Sequence, residues 1–213
     1  MSHDPWTVRN PYKLPKGATV TKDLLSWSDA AEQDDEADDK LTWDSRWLSV
    51  ARLIATWSKD PSTRVGAVCV AENRLIVQGW NGFPRGFDDD PAHYDDRDVK
   101  YSYVVHAEKN CIYNACREGI CLKGATIYVE GMMVCSQCAL GIAQAGIARV
   151  VMAAPTAARF KEKWVHEFRL ACEIFKKTGV AIDCYSTLGD RYEPSSADWF
   201  RTPVGEGLYV SEA

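Results

Sequence analysis

From Trp43 onward the apolar positions follow two alternating periods. Trp47, Val50, Leu53, Ile54 and Trp57 recur at helical spacing, and Asp60-Pro61 predicts where that helix stops. Val65 to Val70 and Leu75 to Gly79 are short apolar runs that predict two strands, joined by a turn at Glu72-Asn73. A polar loop is expected from about Asn81 to Lys100. A helix then starts near Val104 and ends around Gly119. Ala125 to Glu130 predicts a strand, and Cys135 to Ala145 a helix stopped by Gly146. Ala148 to Ala153 predicts another strand, Phe160 to Lys177 a helix closed by Gly179, and Val180 to Tyr185 a last strand. The order α-β-β-α-β-α-β-α-β predicts an α/β fold: a three-layer α/β/α sandwich around a mixed five-stranded sheet.

Outside that periodic stretch the pattern fails. Residues 1–42 scatter Trp6, Pro11, Tyr12, Pro15 and Gly17 ahead of an acidic run from Asp29 to Asp39, so they are expected to form an acidic extension. Residues 43–186 are expected to form the domain. Residues 187–213, rich in turn formers, are expected to be a tail lying over its surface.

Composition narrows the class. A chain of 213 residues suits one domain with extensions. A formal charge of −5 disfavours a nucleic-acid partner, because such proteins carry basic stripes against the phosphates. No apolar run reaches the roughly 18 residues of a membrane span, and no basic-then-apolar leader opens the chain. A cytoplasmic protein with reduced thiols is therefore expected, despite eight cysteines. No Walker or dinucleotide-binding glycine pattern supports ATP- or NAD-driven chemistry.

The candidate chemistry lies in two short motifs, His106-Ala107-Glu108 and Cys135-Ser136-Gln137-Cys138. One histidine and two cysteines supply three zinc ligands, and a catalytic zinc site leaves its fourth position to water. Glu108, two residues from His106, can reach that water without taking the metal. Residues two apart on a helix point in nearly opposite directions, so His106 and Glu108 must sit at a first helical turn. Cys135 and Cys138 share a face at the start of their own helix, whose N-terminus favours thiolate. Two helix N-termini are thus expected to face one another at one edge of the sheet. Taken alone, the C-x-x-C also fits a structural zinc knuckle or a redox pair.

Four stretches extend the pattern: Ser58 to Ala67, Gly79 to Gly86 (Gly-Trp-Asn-Gly-Phe-Pro-Arg-Gly), Lys100 to Asn110, and Cys135 to Cys138 with Gln144 to Ile147. Together they resemble the zinc-dependent cytidine and deoxycytidylate deaminases, most closely the deoxycytidylate (dCMP) branch. Val134 stands where that family usually has proline before the first cysteine, and Trp80 where tyrosine is commoner. The resemblance implies a cytidine deaminase-like fold and hydrolysis of dCMP to dUMP and ammonia. It implies one Zn2+ per chain on His106, Cys135 and Cys138, with Glu108 as proton shuttle. It further implies sugar contact at Asn81 and reading of the pyrimidine edge by the Ala107 backbone. Arg85, Lys59 and Arg64 are the phosphate candidates, and Tyr103 a pocket residue. The partners implied are a small nucleotide, dCTP and dTTP as effectors, and other copies of the chain, up to a hexamer. Two readings stay open beside this one: deamination of another or modified nucleotide, nucleoside or base, and a catalytically silent nucleotide-sensing protein. Around His93, residues Asp88, Asp89, Asp90, Asp95, Asp96 and Asp98 form either a solvated loop or a place for Mg2+ carried by a triphosphate effector.

Overall fold

The structure is a computed structural model that describes residues 42–88, 90–154, 162–188 and 191–194. The acidic extension and residues 195–213 of the tail lie outside the described residues.

Helix α1 (Trp43–Ala55) opens on Thr42, whose hydroxyl accepts from the Ser45 N–H. Its inward face is Leu48, Ala51, Ile54 and Ala55, while Leu53 and Trp57 are exposed. The helix is where the periodicity places it, but the buried stripe is narrower and made of smaller residues. Gly66 explains this: a Cβ there would collide with the Ala51 carbonyl oxygen and the Ala55 nitrogen, so α1 lies backbone-close on the sheet. Bulky aromatics cannot fit into that contact and stand at its flanks. The helix ends at Ala55, capped at Thr56, before Pro61 can act.

Strands β1 (Gly66–Ala71) and β2 (Arg74–Trp80) form a hairpin turned at Glu72 and Asn73, both at positive φ. The expected polar loop instead holds two short helices, α2 (Ala92–Asp95) and α3 (Arg97–Tyr103). Asp96 starts α3 by accepting from the N–H groups of Asp98 and Val99. Gly82 and Val105 exchange two backbone hydrogen bonds, pinning the ends of this insertion together. Phe83, Phe87, His93 and Tyr94 pack ring against ring inside it.

The chain continues through α4 (Ala107–Glu118), β3 (Thr126–Glu130), α5 (Ser136–Gln144), β4 (Arg149–Ala154), α6 (Glu162–Thr178) and β5 (Ala181–Leu188). A sixth strand, β6 (Arg191–Pro194), then pairs antiparallel with β5. The sheet order is β2-β1-β3-β4-β5-β6, with β3, β4 and β5 parallel and the outer pairings antiparallel. The expected mixed five-stranded sheet is therefore present and carries one further edge strand. That strand corrects the reading of the stretch after residue 186 as a tail lying on the surface. Tyr192 of β6 is buried against the α1 side, an anchor that turn-rich composition hides.

Side chains alternate across the sheet with the strand period of two. Ala67, Cys69, Ile127, Val129, Val150 and Met152 face α4, α5 and α6. Val68, Val70, Tyr128, Val151 and Ala153 face α1. All eight cysteines are free, and Cys116 and Cys121 are exposed. Among the described residues no helix is long and apolar enough to cross a membrane.

Candidate active site

Strands β2 and β3 both run antiparallel to β1 and finish beside its first residue, where Gly66 pairs with Trp80 and with Glu130. The chain leaving each strand leads to a helix that starts at this edge. Strand topology therefore delivers the N-termini of α4 and α5 to one place. The N-caps of these two helices are His106 and Cys135, both with extended backbone (ψ 154 and 166) and neither capping with its own side chain. Extended N-caps turn their side chains off the helix and toward each other.

His106 Nδ1 lies 3.4 Å from Cys135 Sγ and 3.4 Å from Cys138 Sγ. The three donor atoms all fall within 4.8 Å of one another. Zn–N and Zn–S bonds of about 2.0–2.1 and 2.3 Å at a tetrahedral angle separate N from S by about 3.6 Å, so this donor set fits zinc. Hydrogen bonding from Cys138 and then His106 pulls Cys135 down to about 4, and the same bond pushes Cys138 up. A pair coupled this tightly titrates as a unit, and binding a metal would release its proton to solvent. The hydrogen bond to Cys135 also raises the His106 pKa.

Glu108 is 3% exposed, on the first turn of α4. Burial raises its pKa, and the nearby His106 opposes that rise. Gly79 lets α4 approach so closely: a Cβ there would collide with the Cys111 nitrogen, with the Ala107 carbonyl oxygen 2.6 Å away. The Ala107 and Glu108 amides lie in the first turn, where helical N–H groups have no intrahelical acceptor. At α5, Glu167 from α6 supplies the cap that Cys135 does not. Its Oε2 accepts from Ser136 Oγ at 2.6 Å and from the Ser136 N–H at 3.4 Å.

A cavity of about 530 Å³ opens over these groups, lined by His106, Ala107, Glu108 and Cys135 together with Asn81. Asn81 is built into the wall. Its Oδ1 accepts from the Val65 N–H at 2.8 Å, and its Nδ2 donates to the Thr63 carbonyl at 2.9 Å and to Asp60 Oδ2 at 3.4 Å. Asp60 is buried and ion-paired to Lys100. Burial pushes its carboxyl up, but Lys100 and the Ser62 and Thr63 amides outweigh that and hold it below the usual range.

The remaining sequence candidates are placed elsewhere. Arg85 donates to Asn114 Oδ1 at 2.7 Å and lines a separate, smaller cavity of about 250 Å³. Lys59 and Arg64 are exposed, Arg64 donating to the Asp60 carbonyl. Tyr103 is half-exposed and packs on Phe87. In their stead α3 turns Arg97, Lys100, Tyr101 and the following Val104 toward the cavity. Their i, i+3, i+4, i+7 spacing was a readable signal of one helical face, hidden by reading the stretch as loop. Among the described residues the acidic side chains around His93 do not gather into a cation site; Asp90 and Asp96 accept from nearby backbone amides instead.

The family described as the cytidine and deoxycytidylate deaminase zinc-binding region matches residues 41–154. The chain belongs to that family. This member is 38% identical over 140 residues to the uncharacterized deaminase in the luxG 3′ region of Aliivibrio fischeri, covering 66% of the chain and 91% of that protein. It is 41% identical over 120 residues to the deoxycytidylate deaminase of Homo sapiens, covering 54% of the chain and 66% of that protein. The crystal structure of the dCMP deaminase from cyanophage S-TIM5 with dCMP and dUMP matches its fold with a TM-score of 0.53. That match has 22% identity and covers 65% of the chain and 93% of the other.

Proposed function

We propose that this chain catalyses the hydrolytic deamination of deoxycytidine monophosphate, yielding dUMP and ammonia. The observation that carries the reading is a buried Glu108 beside a His106, Cys135, Cys138 donor set, with Glu108, His106 and Cys135 lining one cavity. Similarity to proteins named deoxycytidylate deaminase supports the choice of substrate.

His106, Cys135 and Cys138 hold the zinc ion. When bound, the ion supplies a Lewis acid that lowers the pKa of a water in the site. Glu108 takes a proton from the attacking water and passes it to a ring nitrogen, then takes the second proton from the hydroxyl added at the ring carbon and gives it to the departing amine. A C–O bond forms at the pyrimidine carbon as the C–N bond breaks, so ammonia leaves and a carbonyl remains. Water is the only co-reactant. The Ala107 backbone reads the pyrimidine edge, and Asn81 shapes the wall on the sugar side while holding the 58–65 segment in place. A homo-oligomer, up to a hexamer, belongs to the same reading. The exposed Trp43, Leu53 and Trp57 support it, being apolar surface that monomers seldom show together. Regulation by dCTP and dTTP, with Mg2+ on the triphosphate, and a cytoplasmic setting complete the reading on the strength of the resemblance.

The test is an ammonia-release screen over cytosine, deoxycytidine, CMP, dCMP, dCTP and 5-substituted dCMPs. Highest kcat/KM on dCMP is expected. A preference for a free nucleoside or base overturns the monophosphate assignment, and no release from any of them overturns the enzyme.

A further inference from the structure

Besides His106, two cationic side chains line the main cavity, and they are in different electrostatic states. Lys100 is already committed. Its Nζ lies 2.8 Å from the Asp60 carboxylate and 2.6 Å from Ser62 Oγ, and its side chain is 13% exposed. This cation offsets the charge of one buried carboxylate and has little left for a ligand. Arg97, one turn earlier on α3, is exposed and has no hydrogen-bond or ion-pair partner among the described residues. Its neighbour Asp96 turns its carboxylate to the α3 backbone instead.

We propose that Arg97 binds the 5′-phosphate of the substrate and sets the preference for nucleotide over nucleoside. The inference rests on the dCMP reading above. A guanidinium holds a phosphate through two parallel N–H···O bonds, and Arg97 keeps all its donors available for that. Tyr101, four residues on, shares its helical face and lines the same cavity, giving the ligand an apolar flank beside the charge. Asp95 is the exposed carboxylate on this lining. A phosphate dianion entering beside Asp95 meets repulsion, so a cation is needed to make the monophosphate a better ligand than the nucleoside. Removing Arg97 therefore takes away an attraction and leaves a repulsion behind.

The experiment compares kcat/KM on dCMP and on deoxycytidine for the wild type, Arg97→Ala, Arg97→Lys and Arg74→Ala. Arg74 lies on the distant hairpin, paired with Glu72, and controls for the loss of one positive charge. Arg97→Ala is expected to lower the dCMP-to-deoxycytidine ratio by about tenfold or more, the scale of losing a hydrogen bond to a charged group. Arg97→Lys is expected to restore part of it, and Arg74→Ala to leave the ratio at the wild-type value. Titration with dUMP against deoxyuridine reads the same loss in binding, without turnover. If the wild type prefers dCMP and Arg97→Ala keeps that preference, the Arg97 assignment is wrong and the dCMP reading stands. If the wild type prefers deoxycytidine, the dCMP reading itself fails, and the assignment with it.

Discussion

At position 108 a glutamate is held almost out of solvent at the edge of the cavity, and burial raises its pKa. The group is next to the metal ligands yet outside their cluster, since the three donors that converge are His106, Cys135 and Cys138. Function and metal binding should therefore separate at this residue. Glu108→Gln keeps the side-chain shape and removes the titrating oxygen. It is expected to retain one zinc per chain while kcat on dCMP falls by roughly 10²–10⁴-fold, the range for general acid–base catalysis. Metal analysis and steady-state rates on the same preparation check this. Near-normal turnover would assign the proton transfer to another group. The donor set that gathers in the fold was legible in the sequence because its chemistry is local: a C-x-x-C and an H-x-E each fit within one helical turn. The proposed phosphate contact was not, because cations are common on any surface and only the fold decides which one faces the cavity. Arg85 had the right chemistry in a suggestive loop, yet its guanidinium is turned to Asn114.

Elements were legible where their periodicity was long. The strands of the central sheet stand out as apolar runs because both of their faces are buried, and α1 shows its repeat over three turns. The insertion between Gly82 and Val105 hid its helices because they are four and seven residues long, so the single repeat of Arg97, Lys100, Tyr101 and Val104 is easily passed over among polar residues. Strand β6 is equally short, set among turn-forming residues. The meeting of two helix N-termini could be read from the motifs, but the contacts that support those helices from behind could not, and the α5–α6 contact shows their importance. Helix α5 begins at a metal ligand and has no cap of its own, so its first turn depends on a carboxylate from α6. Partners that orient metal ligands from behind typically contribute 10–100-fold to metal affinity. Glu167→Ala is expected to weaken zinc retention by about tenfold or more against a competing chelator, with far-UV circular dichroism unchanged. Glu167→Gln, which still accepts from Ser136, is expected to recover part of the loss. Equal zinc affinity in all three proteins would make the contact incidental.

Across the whole molecule, one polar cluster ties the outer helix to the middle of the sheet. Asp44 of α1 accepts from Tyr128 of β3 at 2.8 Å, from Tyr185 of β5 at 2.9 Å, and from both terminal nitrogens of Arg149 of β4 at 2.9 and 2.7 Å. Arg149 also donates to Asp183 at 2.7 Å. Burial pushes the Asp44 carboxyl up, but hydrogen bonds from Arg149, Tyr128 and Tyr185 outweigh it and hold the pKa below its usual value. The sign of the pH dependence follows. A carboxyl depressed in the folded state contributes fully above its unfolded value of about 3.9, and that contribution is lost as pH falls through the folded value. Asp44→Asn keeps the shape but sets an amide against the guanidinium. At pH 7 it is expected to cost about 1.5–3 kcal/mol, the scale of hydrogen bonds to charged groups, with the partial exposure of Arg149 favouring the lower end. Below about pH 4 the unfolded chain protonates this carboxyl while the folded wild type still holds it ionised, so the gap between the two proteins should narrow as pH falls toward the folded value. Urea unfolding of both at pH 7, 5 and 3.5 measures it. A gap that stays constant over that range would mean that Asp44 acts through shape, and that its charge does not fasten α1 to the sheet.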